Sequence, residues 1–177
     1  ERPPLPPRLA DLMERTERVD GLPNDVTALK GLIDERMAAL RQPRAALAGS
    51  ADEGGWWPNF SRNEDALDVL VQAIERARLV PGDDVSIALD LASSQFGGNG
   101  RYQLALEQQE LDSDALRERL VRWIDKYPIV SIEDPLAEDD EGGLIAFTRA
   151  VGEKVQIVGD DYLVTNADRV KHAASVG

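Results

Sequence analysis

Three short apolar runs in this chain each close on an acidic residue, with helical stretches between them. They read Ser86-Ile87-Ala88-Leu89-Asp90, Ile129-Val130-Ser131-Ile132-Glu133 and Gln156-Ile157-Val158-Gly159-Asp160. None alternates polar with apolar side chains, as a strand wet on one face would. Strands covered on both faces and separated by helices predict an α/β fold with a parallel sheet. Periodicity alone leaves open whether that sheet closes into a barrel.

The intervening stretches read as helices. Residues 63–79 carry Leu67, Leu70, Val71 and Ile74 on one face, with Asn63 as the expected N-cap. Pro81-Gly82-Asp83-Asp84 is a turn, followed by a strand over 85–89. Ser113 is expected to cap a helix reaching Lys126, with Leu116, Leu120, Trp123 and Ile124 turned inward and Pro128 as its stop. Further strands are expected over 129–132 and 155–158, and helices over 143–151 and after Asn166. Upstream, the run Glu1-Arg-Pro-Pro-Leu-Pro-Pro-Arg8 should be extended. Residues 9–19 suit a short helix that Gly21 and Pro23 end. Over 25–40, Val26, Leu29, Leu32, Ile33, Met37 and Leu40 recur at amphipathic spacing.

Composition narrows the partners. The chain has 33 acidic against 20 basic residues, a net charge of -13. Such a surface repels phosphate backbones and anionic lipid, so neither nucleic acid nor membrane is an expected partner. A small anionic substrate is still permitted, because a bound divalent cation reverses the potential in a cleft. Cysteine is absent, which excludes disulfides, thiolate nucleophiles and zinc–thiolate sites. No apolar run approaches the length of a membrane span, and no signal-peptide pattern opens the chain. The first residue is Glu1 rather than Met, which favours a fragment or a processed product.

Strand ends on the carboxyl side of a parallel sheet form the active-site face of such folds. Asp90, Glu133 and Asp160 therefore converge there. Three carboxylates so placed would raise one another's pKa unless a cation joined them. All-oxygen donors select magnesium, manganese or calcium over zinc or copper. Any one strand-end acid could equally cap a helix or take a turn N–H; three on successive strands are better explained by a metal. Asp134 and Asp161 are expected to cap or to support the ligands from behind, and Glu138, Asp139, Asp140 and Glu141 to form a solvated loop.

Four motifs then resemble the enolase family, in the family's order. They are Asp52-Glu53-Gly54-Gly55 with Pro58-Asn59; Ala88-Leu89-Asp90 with Ala92-Ser93-Ser94 and Phe96; Tyr127-Pro128-Ile129-Val130-Ser131-Ile132-Glu133-Asp134-Pro135; and Val158-Gly159-Asp160-Asp161 with Val164-Thr165-Asn166. The resemblance implies a partial TIM-like (β/α) barrel of the enolase type over 26–177, behind a proline-rich leading segment over 1–25. It implies a lyase that dehydrates 2-phosphoglycerate to phosphoenolpyruvate with Mg2+. Asp90, Glu133 and Asp160 would hold the metal. Glu53 would be the acid that helps the hydroxyl leave, and Glu53, Glu133 and Asp160 would face the substrate. A homo-oligomer, dimer or larger, and a cytoplasmic location are further implications.

Departures accompany the match. Ala51 stands where the family has a glycine, Trp56-Trp57 where it has one aromatic and a small residue, and Gln95 where it is often acidic. The adjacent tryptophans are expected to pack, or else to narrow the site. The family's base lysine, the last barrel strands and the N-terminal α+β domain have no counterpart within the 177 residues, so this portion alone is expected to be inactive. His172 lies too early to be the family's site histidine and is expected to be an exposed helix residue. Two other readings stay open: a paralogue acting on a related phosphonate or carboxylate, and a non-catalytic scaffold or assembly subunit.

Overall fold

The computed structural model describes residues 47–50 and 55–176. The expectations for residues 1–40, Ala51 and Glu53 fall outside them. Two compact units divide the chain at Val85–Ser86.

In the earlier unit, β1 (Leu47–Ser50) pairs antiparallel with β2 (Trp56–Pro58). Trp57 is 62% exposed, unlike the packed tryptophan that was one of the two expectations for it. Helix α1 (Glu64–Arg76) buries Leu67 and Ala73. Asn63 precedes it without a side-chain capping bond; Asp65 instead accepts the N–H groups of Ser61 and Arg62. The helix stops at Arg76, short of the expected 79, because Arg78 turns left-handed (φ 64°).

In the later unit, β3 (Ile87–Asp90), β7 (Ile129–Glu133) and β8 (Gln156–Val158) form a parallel sheet in the order β3-β7-β8. Helix α2 (Ser113–Lys126) joins the first pair and α3 (Glu141–Val151) the second. This is the expected α/β alternation, an open, partial parallel arrangement. Leu116 and Leu120 of α2, Phe147 of α3 and Ile132 of β7 are almost wholly buried. Their spacing on the two helices turns one face inward. Tyr127 ends α2 in an extended conformation, as a residue before proline must. The cap of α2 is Asp112, not Ser113. Asp112 has extended backbone and accepts the Ala115 N–H at 2.8 Å, while Ser113 is already helical.

An antiparallel sheet that the periodicity did not indicate lies between β3 and α2. Its strands are β4 (Gly97–Gly98), β5 (Arg101–Leu104) and β6 (Gln109–Asp112). Asn99 and Gly100 turn β4 into β5 with φ of 51° and 70°, the paired left-handed geometry of a tight hairpin. At Gly97 a Cβ would lie 2.1 Å from the Tyr102 ring, so only glycine lets that ring lie against the backbone.

This sheet is tied to the loop after β7. Glu138 and Asp139 are exposed, as expected of a solvated loop, whereas Asp140 is half-buried and bonded and Glu141 already begins α3, which corrects the expectation there. The fully buried Tyr102 donates its hydroxyl to Asp140 Oδ2 at 2.7 Å and accepts the Ala137 N–H at 3.1 Å. Asp140 also accepts from Ser113 Oγ and, as cap of α3, from the Gly143 N–H. Asp139 accepts the Asn99 N–H, and the Glu138 N–H donates to Ser94 Oγ. Beyond β8 come a single turn, α4 (Asp160–Leu163), and α5 (Ala167–Val176), which buries no residue. Asn166 Oδ1 accepts the N–H groups of Asp168 and Arg169 at the start of α5, as expected of its cap. His172 is exposed and meets Glu141 Oε2 at 2.9 Å. Among the described residues no helix is long and apolar enough to cross a membrane.

Candidate metal centre

The parallel register sets Asp90 opposite Glu133, and Glu133 opposite Val158, at the carboxyl ends of the three strands. One carboxylate oxygen each of Asp90, Glu133 and Asp134 lie within 4.8 Å of one another. Asp90 is exposed, Glu133 partly so, and Asp134 is buried. Asp160 is not in that closest set. β8 ends at Val158, and Asp160 begins α4 two residues later. Its charge still reaches Glu133, as the electrostatics below show. Glu53 lies outside the described residues.

Asp134 was expected only as a cap or support, and its place beside Asp90 and Glu133 has a backbone cause. In an extended strand adjacent side chains face opposite ways. Asp134 leaves the strand with φ of 42°, a left-handed conformation that aspartate tolerates better than most residues. That break in alternation brings two consecutive acids together. The doublet Glu133-Asp134 was visible; the turn was not. Asp90 meanwhile accepts the Ala92 N–H at 3.1 Å, so it also serves the turn role open to any strand-end acid.

The electrostatics match the crowding. The Glu133 carboxyl is raised above the ordinary carboxylate range, first by partial desolvation and then by the charges of Asp90, Asp134, Asp160 and Asp161. Asp134 is raised chiefly by burial, against the downward pull of the Asp161 N–H. Oxygen donors gathered under mutual repulsion fit a hard divalent cation, which lowers the energy of all of them at once.

This has a pH consequence with a definite sign. With Glu133 raised in the folded state, folded protein binds more protons than unfolded between the two pKa values. Its contribution to metal-free stability therefore falls as pH rises through that window and returns on acidification. Magnesium needs ionised ligands, so its affinity should move the opposite way. Melting temperatures against pH, with and without Mg2+, should show a steeper metal-free fall in wild type than in Glu133→Gln, where Asp134 alone keeps part of it. The opposite, Mg2+-dependent trend should appear in wild type only. Parallel profiles for the two proteins would remove Glu133 as their source.

Comparison with known proteins agrees with the architecture. The family model for the enolase C-terminal TIM barrel domain matches residues 31–177. Enolase 1 of Methanospirillum hungatei is 45% identical over 139 residues, covering 78% of this chain and 33% of that protein. Enolase 1 of Methylococcus capsulatus is 44% identical over 140 residues, with the same coverage of both. The chain thus spans about one third of the length of these curated relatives. A parallel α/β sheet with acids at its carboxyl ends, and a domain match over most of the length, lead to one conclusion: this chain belongs to the enolase family, within its C-terminal TIM barrel domain.

Proposed function

We propose that this chain is the metal-binding part of an enolase-type lyase, dehydrating 2-phosphoglycerate to phosphoenolpyruvate with magnesium. The observation behind this is the register of Asp90 against Glu133 at the carboxyl ends of a parallel sheet, in a chain of the enolase family. Asp90, Glu133 and Asp160 are the residues that would hold the ion. Bound there, magnesium supplies positive charge opposite the carboxylate of the substrate, where negative charge gathers as the α-proton leaves.

The reaction breaks the α C–H and β C–O bonds, forms the C=C bond and releases water. Glu53 would give its proton to the departing hydroxyl. Glu133 and Asp160, facing the substrate, would keep their ionised oxygens on the metal side of it. None of these carboxylates is assigned as the base that takes the α-proton. A cytoplasmic homo-oligomer acting on this small phosphorylated anion completes the proposal.

Full-length protein should form phosphoenolpyruvate from 2-phosphoglycerate only with Mg2+, and a chelator should stop it. Magnesium binding without any turnover would overturn the enolase activity in favour of a non-catalytic relative. Turnover of a different phosphorylated or phosphonate acid alone would favour a paralogue.

A further inference from the structure

We infer that Asp134 is a positioning residue of this centre, which sets Asp160 against Glu133 by holding the ends of β3 and β8 to the end of β7. The inference rests on the metal-centre reading above. It is carried by three hydrogen bonds that meet at one residue. The Asp134 carbonyl accepts the Ser93 N–H at 3.2 Å, from the turn just after Asp90. The Asp134 N–H donates to the Val158 carbonyl at 2.9 Å, at the last residue of β8. Its carboxylate Oδ2 accepts the Asp161 N–H at 3.1 Å, from the residue next to Asp160. Each of the three acid-bearing strand ends is thus tied to Asp134, one of them by its side chain.

The side-chain bond is the informative one. Sheet pairing of β7 with β8 stops at Glu133 opposite Val158, so the ladder does not fix the backbone at Asp160. The Asp134 carboxylate continues the connection one step beyond the ladder. It is 3% exposed, too buried to turn to water, and a buried acceptor without its donor is costly. The left-handed φ of 42° is what lets its backbone and side chain reach both neighbours. Asp134 could alternatively be a direct ligand, since one of its oxygens is close to those of Asp90 and Glu133. Charge separates the two roles: a ligand needs a carboxylate, whereas the Asp161 N–H needs only an acceptor oxygen.

The test is calorimetric titration of full-length protein with Mg2+ alone. Asp134→Asn keeps an acceptor oxygen and should stay within about threefold of wild type, whereas Asp134→Ala should lose about tenfold or more, as supporting groups behind a metal ligand do. In an Asp160→Asn background the further loss from Asp134→Ala should shrink to about twofold, because the residue it positions no longer contributes. Where the alanine protein does not fold by circular dichroism, Asp134→Gly, which accepts the left-handed backbone, replaces it under the same criteria. A loss in Asp134→Asn equal to that of Glu133→Gln would make Asp134 a ligand and overturn the proposal. Wild-type affinity in Asp134→Ala, or an undiminished loss in the Asp160→Asn background, would overturn it too. Absence of Mg2+ binding by wild type is a separate result, which would sink the metal centre itself.

Discussion

Glu133→Gln is expected to lower magnesium affinity more than about 100-fold, a larger loss than that from residues that merely support a metal ligand. Glu133 has Asp90 directly opposite in register and feels the charges of Asp134, Asp160 and Asp161. Partial desolvation and four neighbouring acids raise its carboxyl, so a cation bound there would compensate its charge strongly. The amide removes one charge from the donor set and turns an N–H2 towards the remaining carboxylates. Removing the charge also relieves repulsion in the metal-free protein. The same substitution should therefore leave metal-free stability unchanged or raise it while binding is lost. Titration and thermal unfolding read these separately. Unchanged affinity would take Glu133 out of the ligand set, and a large fall in metal-free stability would show that the side chain is structural.

The largest loss of stability is expected at Tyr102. Tyr102→Phe keeps the ring but removes the donor to Asp140 and the acceptor for the buried Ala137 N–H, at a cost of about 2–4 kcal/mol. Burial and the neighbouring Asp140 already hold the phenol well above its ordinary pKa, so it stays a neutral donor at any physiological pH. Tyr102→Ala additionally empties a fully buried ring site that Phe96 meets edge-on at 6.1 Å between centroids, and should lose more than about 4 kcal/mol. Urea unfolding of the three proteins gives the hydroxyl and ring contributions by difference. A Tyr102→Phe cost under about 1 kcal/mol would mean that the hydroxyl does not hold the hairpin to the loop before α3.

What the sequence disclosed follows from which forces are local. The three parallel strands and the helices between them were legible because burial on both faces demands continuous apolar runs, and helix faces repeat every three or four residues. That Asp90 and Glu133 stand at the carboxyl ends of such strands was legible for the same reason, whereas the register that sets one opposite the other was not. The caps were less so. Asp112 and Ser113 are both capping residues, and only the extended backbone of Asp112 distinguishes them. The hairpin over 97–112 escaped because β4 is two glycines and β6 buries no residue, although the alternation Arg101-Tyr102-Gln103-Leu104 and the Asn99-Gly100 turn were readable signals. The acids over 138–141 looked like a solvated run, because nothing local says that Tyr102, 38 residues away, returns to bond Asp140. Asp134 was hidden by its own backbone: strand alternation predicts an opposite face, and a left-handed φ overrides it.

The hairpin also bears on the order of assembly. β4, β5 and β6 pair across short turns, whereas β3 must find β7 about forty residues further along. Local contacts form before distant ones, since they close smaller loops. Once Arg101 faces Asp112, the chain between β3 and β7 is already drawn in and α2 is started beside it. The longer-range pairing of β3 with β7 is what brings Asp90 to Glu133. Repulsion between Asp90 and Glu133 requires that pairing, so it is absent from the chain until those two distant strands have met.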